Sequence, residues 1–184
     1  MLEKIITLLK TGQPNNIELA YQLRLGAKIS LWPLERNIKD LLYLSQTQPA
    51  LEIDDLHLGQ LCHILPEVIA LSVYNPNLKK IPRELSFMPN LRILELVNLP
   101  IQELPNSVKD LKQLKSLSIR NTSIHHISPN LSELKNLTSL TLADNPNLTT
   151  LPSFLVDLPK LKTLRISQHL TEAVPRGDFE VIVF

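Results

Sequence analysis

One pattern of apolar residues recurs through the middle of the chain and constrains the fold more than any other feature. In the segment Leu91–Gln113 the apolar residues fall at fixed offsets, and the same offsets return 23 residues later. They return again from Leu137, in a copy one residue longer, and they are also present upstream from Val68. A fifth copy begins at Leu161 and then loses the pattern. A period in this range predicts a solenoid, in which each repeat packs on its neighbours.

Each repeat has two parts, which predict different local structures. The first part alternates apolar and polar side chains, as Leu94-Glu95-Leu96 does, and this predicts a short strand with one buried face. The second part, from Pro105 to Leu111 in one copy, spaces its apolar residues by three and predicts a single helical or 3₁₀ turn that the proline starts. Parallel stacking of the strands buries the leucines, and the wider turns on the other side make the strand face concave. Strands are expected near Ile69 to Val73, Arg92 to Leu96, Lys115 to Ile119, Thr138 to Leu142 and Lys162 to Ile166.

The shared motif, LxxLxLxx(N/T)x(I/L)xx(L/I)PxxLxxLxx, resembles the leucine-rich repeat. The resemblance is to the 23-residue form with a Leu-Pro pair, which occurs in intracellular Ras-binding and plant-type repeat proteins, and it covers roughly residues 68–176. It implies an α/β fold, a right-handed leucine-rich repeat solenoid with a parallel sheet on its concave face. It also implies protein binding, since repeats of this family mostly bind proteins.

The asparagine that such repeats usually carry is only partly present here. Its slot is matched by Thr122 and Asn145, but the two earlier repeats carry Pro76 and Leu99 there. In the family this side chain bonds to backbone groups of adjacent loops, so the loops are expected to be less regular in the earlier repeats. Three other asparagines stand one place early and are expected to point elsewhere: Asn75, Asn98 and Asn121.

Residues 1–66 contain no repeat, and their apolar spacing predicts four short helices. The first carries Leu2, Ile5, Ile6 and Leu9, and the second begins at Asn15 or Asn16 and ends near Gly26. The third begins at Pro33 and ends before Pro49, and the fourth runs from Asp54 or Asp55 to Pro66. We expect residues 1–66 to form an all-helical cap over the first repeat, because an uncapped solenoid exposes a strand edge and a leucine layer. A separate docking bundle formed by residues 1–45 is the alternative.

The C-terminal end departs from the repeat in a different way. The array is expected to occupy residues 67–176, as four full repeats and one partial repeat, and residues 177–184 form a tail or cap strand. The last residues, EVIVF, are apolar and favour β structure. They could pair as an extra strand or fold over the last leucine layer, since an exposed tail of this kind would be prone to aggregate.

Charge and composition exclude several classes of function. The net charge of +1 gives no electrostatic footprint for a nucleic acid or a membrane surface. No apolar run is long enough to cross a membrane, and the N-terminus lacks the features of a secretory signal. A single cysteine excludes an internal disulfide and favours a reducing, cytoplasmic setting.

No candidate for catalysis or metal binding has the spacing that its chemistry needs. Cys62 and His63 are adjacent on a predicted helix, where neighbours point about 100° apart and so do not face one another. His125 and His126 lack a third ligand at suitable spacing, and the four glycines form no phosphate-binding loop. We therefore expect no catalytic residues, no metal and no cofactor, and we expect that the chain is not an enzyme.

The polar residues that alternate with the leucines name a candidate binding surface. They align in columns across the repeats. A sheet face that is only solvated would carry mostly Ser and Thr at these positions. Here several of these positions carry apolar or charged residues instead, and such a mixture is typical of binding patches. The candidate protein-binding residues are Tyr74, Ile93, Glu95, Val97, Ser118, Arg120, Thr141 and Arg165. We expect a monomeric module that binds an unidentified protein on this concave face; the alternative is a targeting or regulatory subunit or fragment of a signalling enzyme.

Overall fold

The repeats form one parallel sheet. The computed structural model describes residues 1–11, 13–27, 30–31, 34, 36–37, 39, 60–62, 65–74 and 76–184. Its six strands follow one another in chain order, and each pairs in parallel with the next. They are β1 (Ala70–Tyr74), β2 (Ile93–Leu99), β3 (Ser116–Thr122), β4 (Ser139–Leu142), β5 (Thr163–Ile166) and β6 (Glu180–Val183). This order is that of the α/β solenoid which the sequence predicts.

The five strands predicted for the repeats are all present, but each begins one residue later than expected. The N–H groups of Arg92 and Ile93 both donate to the carbonyl oxygen of Ile69, at 2.8 and 3.1 Å. Regular pairing therefore starts only at Ile93. Within the ladder, Leu94 is in register with Leu117, which is in turn in register with Leu140, and all three are buried. This column of leucines is the centre of the core.

The second half of each repeat forms a short 3₁₀ turn, as its spacing by three predicts. The turns are Arg83–Phe87, Asn106–Asp110, Pro129–Glu133, Ser153–Asp157 and Gln168–Ala173. Proline directly precedes the turn at Pro82, Pro105 and Pro152, with φ angles of −60°, −66° and −72°. These angles are the ones that the pyrrolidine ring imposes, so the proline sets the direction in which each turn begins.

Two α-helices precede the repeats. They are α1 (Leu2–Leu9) and α2 (Pro14–Ala27), and α2 begins before the predicted Asn15 or Asn16 because proline suits the first turn of a helix. The third and fourth predicted helices lie mostly outside the described residues, although Leu61 and Cys62 of the fourth are helical and buried. Among the described residues, no helix combines the length and apolar character needed to cross a bilayer.

Helix α1 lies against the turns of the first two repeats. Ile5 and Leu9 are fully buried in the same apolar core as the leucines of the repeats. Nζ of Lys10 lies 3.3 Å from a carboxylate oxygen of Asp110 and 6.0 Å from the centre of the Phe87 ring. The N-terminal helices therefore share the core of the array. The domain boundaries expected from the sequence, between residues 66 and 67 and between residues 176 and 177, stay predictions.

Asn145 bonds from the asparagine slot to the second half of β3 and to the backbone of its own loop. It is fully buried, and its Oδ1 accepts hydrogen bonds from the backbone N–H and the hydroxyl of Thr122, at 3.0 and 2.6 Å. Its Nδ2 donates to the carbonyl oxygens of Ile119 and Ala143, at 2.9 and 3.1 Å. The prediction that Thr122 and Asn145 occupy the slot is confirmed, and one amide side chain satisfies polar groups that the strands do not reach.

Replacing Asn145 with alanine should lower the free energy of unfolding by about 2–3 kcal/mol, because buried polar groups would lose their partners. Urea unfolding followed by circular dichroism measures this loss. Asn147→Ala, at an exposed asparagine of the same loop, is the matched control and should change the stability by less than about 0.5 kcal/mol. Equal changes in the free energy of unfolding for the two substitutions would show that the hydrogen bonds of the buried amide add no stability.

The asparagines that stand one place early have a different role. Asn98 and Asn121 have φ angles of +57° and +49°, in the left-handed region, and Asp144 occupies the same conformation at +60°. Asn and Asp tolerate this region better than other residues with a side chain. Nδ2 of Asn121 donates to Oδ1 of Asn98 at 2.8 Å, so these side chains contact each other at the surface instead of filling the slot. Asn75 lies outside the described residues.

The C-terminal residues form an extra strand, one of the two arrangements expected for them. β6 continues the sheet beyond β5, with Val181 in register with Leu164 and Val183 in register with Ile166. Both valines remain exposed although they take positions that leucine and isoleucine occupy in the preceding strand. The sheet therefore extends one strand beyond the last buried leucine layer.

Candidate functional site

The side chains that alternate with the buried leucines align as the sequence predicts. Register pairs Ser72 with Glu95, Glu95 with Ser118, Ser118 with Thr141 and Thr141 with Arg165. These five residues form one continuous column across β1 to β5. We call the surface formed by this column and the residues two places before and after it in each strand the outer sheet face. All eight candidate residues lie on it.

Exposed apolar side chains concentrate on β1 and β2. Tyr74 is 39% exposed and Ile93 is 44% exposed, whereas Leu94 beside Ile93 is fully buried. Tyr74 is in register with the half-buried Val97. At the position equivalent to Ile93, the next strands carry Ser116 and Ser139. The outer sheet face therefore has an apolar end on β1 and β2 and a hydroxyl-rich part on β3 and β4.

Several charged side chains of this face are oriented by neighbours. The hydroxyl of Ser72 donates to a carboxylate oxygen of Glu95 at 2.7 Å. Nη1 of Arg165 donates to the hydroxyl oxygen of Ser139 at 3.0 Å, so the guanidinium reaches back over β4. Nη2 of Arg120 lies 3.6 Å from a carboxylate oxygen of Asp144, and both side chains are more than half exposed. Such an ion pair is worth at most about 1 kcal/mol, so a partner could compete for Arg120 at little cost.

A second group of cations borders this face, and the prediction did not include it. Arg92, Lys115 and Lys162 stand directly before β2, β3 and β5, and all three are exposed. We call these three residues the basic edge. The sequence could have indicated these residues, because they occupy the same position of three repeats. They were missed because a net charge of +1 for the whole chain does not reveal a local excess of positive charge.

Cys62 and the pair of His125 and His126 are the residues on which other chemistry would depend. Cys62 is buried, and this burial raises the pKa of its thiol to about 12, so the thiol stays protonated and is a poor nucleophile. His63 lies outside the described residues. His125 and His126 are exposed with ring centres 4.8 Å apart, and the described part of the chain holds no group of three residues suited to a metal ion.

Comparison with known proteins identifies the repeats. Residues 112–169 match the family model described as leucine rich repeat. The repeats are leucine-rich repeats. No curated protein sequence matches the chain at a significant level. Solenoids built from leucine-rich repeats typically serve as protein-protein interaction modules and are generally non-catalytic.

Two solved structures show how the leucine-rich repeats of this chain compare with others. A leucine-rich repeat protein of Leptospira interrogans is 28% identical, with a TM-score of 0.56, over 64% of this chain and 31% of that protein. An internalin, InlF, from Listeria monocytogenes is 19% identical with a TM-score of 0.48, over 73% of this chain and 42% of that protein. This chain therefore spans less than half the length of either protein.

Proposed function

We propose that this leucine-rich repeat chain is a non-catalytic module that binds a protein partner on its outer sheet face, the side that solenoid curvature makes concave. The observation that carries the proposal is the apolar end of that face, where Tyr74 and Ile93 are 39% and 44% exposed beside Val97. Full burial of one such side chain contributes about 1.5–3 kcal/mol, so three of them can anchor a partner.

The charged and hydroxyl residues of the same face complete the proposed site. Glu95 lies within the apolar end, Arg120 lies beside it on β3, and Arg165 lies farther along the face on β5. These charges would select a partner with complementary charges. Ser118 on β3 and Thr141 on β4 offer hydroxyl groups between them. The sheet face supplies area for a protein surface, and the proposed site includes no metal and no cofactor.

The proposed setting is the cytoplasm, with the chain acting as a monomer. The cysteine supports a reducing compartment, since Cys62 is buried as a free thiol and takes no part in a disulfide. The partner is neither a nucleic acid nor a membrane in this proposal, because the charge of the whole chain is close to zero.

A pull-down from the source cell tests the face. Ile93→Asp and Val97→Asp each place a carboxylate in the apolar end, and each should weaken capture of the partner by about tenfold or more, which corresponds to about 1.4 kcal/mol. Val156→Asp is the matched control, because Val156 is 42% exposed in the turn Ser153–Asp157 and lies away from the sheet face. Circular dichroism establishes that all three variants fold.

The proposal fails if Ile93→Asp and Val97→Asp capture the partner as well as the unaltered protein does. It also fails if Val156→Asp loses the partner while the two face variants keep it, since binding would then use the turn side. Capture of no protein at all would contradict the interaction module itself.

A further inference from the structure

The three cations of the basic edge lie in one hydrogen-bonded column, with Arg92 and Lys115 on adjacent rungs and Lys162 one rung beyond Thr138. The N–H of Lys115 donates to the carbonyl of Arg92 at 2.8 Å, and the N–H of Thr138 donates to the carbonyl of Lys115 at 2.8 Å. Lys162 continues the column with a 2.9 Å bond to the carbonyl of Thr138. Rungs of a parallel sheet are about 4.8 Å apart, so Arg92 and Lys115 are direct neighbours and Lys162 stands about 10 Å further along.

Among the residues that the structure describes, the basic edge has no carboxylate paired with it. Some other cations of the repeats have a carboxylate nearby, as Lys112 has Glu133 at 3.0 Å and Arg120 has Asp144 at 3.6 Å. Within the described ranges, no carboxylate forms an ion pair with Arg92, Lys115 or Lys162. Like charges on adjacent rungs repel each other, so this arrangement costs stability in the free protein.

Two further lysines extend the positive charge beside the edge. Lys135 and Lys160 are both exposed, and Nζ of Lys160 donates to the neutral Oδ1 of Asn136 at 2.7 Å. Glu133 is one carboxylate of this region, and the hydrogen bond from Lys112 lowers its pKa, so it stays charged but is occupied by that lysine. The border of the outer sheet face therefore presents an excess of positive charge to an incoming partner.

The basic edge is continuous with the apolar end of the outer sheet face. Arg92 directly precedes Ile93, and the N–H of Arg92 donates to the carbonyl of Ile69, whose side chain is 56% exposed. A phosphate backbone would satisfy the cations but leave Ile69 and Ile93 in water. A protein segment that carries acidic and apolar side chains together would satisfy both.

We propose that the partner recognised by this face is an acidic protein segment, whose apolar side chains cover Ile69 and Ile93 while its carboxylates contact Arg92, Lys115 and Lys162. This inference rests on the proposed function and adds the chemistry of the partner to it. The basic edge steers the acidic segment to the face and fixes its position there, since complementary charge contributes most to encounter rate and specificity.

Selection of short peptides from a random displayed library against the immobilised full chain tests the inference. The selected peptides should be enriched in Asp and Glu next to apolar residues. The double variant Lys115→Glu with Lys162→Glu should bind them about tenfold or more weakly, because attractive contacts become repulsive. Raising the salt from about 0.05 to about 0.3 M should weaken binding to the unaltered chain, because salt screens exposed charges.

The matched control is Lys79→Glu with Lys80→Glu, which makes the same change in net charge at two exposed lysines between β1 and the first turn. It should leave peptide affinity within about twofold, since those charges lie outside the basic edge and are screened. A short single-stranded RNA and vesicles containing phosphatidylserine serve as competing probes. Tighter binding of either probe than of the selected peptides would overturn the inference.

The outcomes separate this inference from the proposed function. Peptides that lack acidic residues, or that respond to Ile93→Asp but not to the reversal of Lys115 and Lys162, would overturn the acidic preference and leave the binding face standing. Peptides that respond to neither set of variants would overturn both. A selection that yields no binding peptide would also count against both.

Discussion

Leu117→Ala should destabilise the protein by about 2–5 kcal/mol, as truncation of a fully buried leucine does. Leu117 is fully buried in the middle of the leucine column, in register with Leu94 on one side and Leu140 on the other. Because the neighbouring strands are fixed by their own hydrogen bonds, the surroundings cannot collapse fully into the space that the side chain leaves. Urea unfolding followed by circular dichroism gives the change in free energy.

Leu25→Ala is the matched control for this substitution. Leu25 is 62% exposed on α2, so the same chemical change removes little buried area there. We expect a change in stability below about 1 kcal/mol for this variant. If Leu117→Ala is as mild as Leu25→Ala, the stacked leucine column is not what stabilises the array.

Removal of residues 1–66 should abolish cooperative unfolding or cause aggregation, the largest effect that we expect. The deletion takes away Ile5, Leu9 and Leu61, which are fully buried in the core that the repeats share. It uncovers leucines of the first repeat beside β1, the edge strand of the sheet, and both features favour association between chains. Size-exclusion chromatography and thermal unfolding of the remaining fragment measure the outcome.

Lys10→Ala is the control that separates loss of the core from loss of surface contacts. Nζ of Lys10 lies 3.3 Å from Asp110 with both side chains partly exposed, so its removal should cost at most about 1 kcal/mol. If the fragment without residues 1–66 stays monomeric and unfolds cooperatively, those residues form an independent module. The alternative of a docking bundle would then replace the cap.

The repeat period of the sequence is sufficient to predict most of the fold. Leu94, Leu117 and Leu140 fix the register of their strands in the parallel sheet. A shift of one strand by one residue would turn its buried leucines toward solvent. The proline-led turns follow from the geometry of proline alone. These features are local or periodic, so a single sequence is sufficient to predict them.

Contacts between distant segments are harder to predict from one sequence. Nothing in the periodicity of α1 indicates that Lys10 lies beside Asp110, 100 residues later in the chain. The left-handed backbone of Asn98 and Asn121 explains why they miss the asparagine slot, and the spacing of the repeats does not predict that conformation. The basic edge is intermediate between these cases. Its positions recur with the repeat, but only the three-dimensional structure shows that no carboxylate of the described residues pairs with it.

The most direct test of the central claim is an NMR titration of the methyl-labelled chain with the captured partner. The side-chain methyl groups of Ile93 and Val97 lie on the outer sheet face, and those of Val156 lie in the turn Ser153–Asp157. If the sheet face binds the partner, the signals of Ile93 and Val97 shift or broaden while those of Val156 stay in place. Shifts at Val156 with unchanged signals at Ile93 and Val97 would contradict the account.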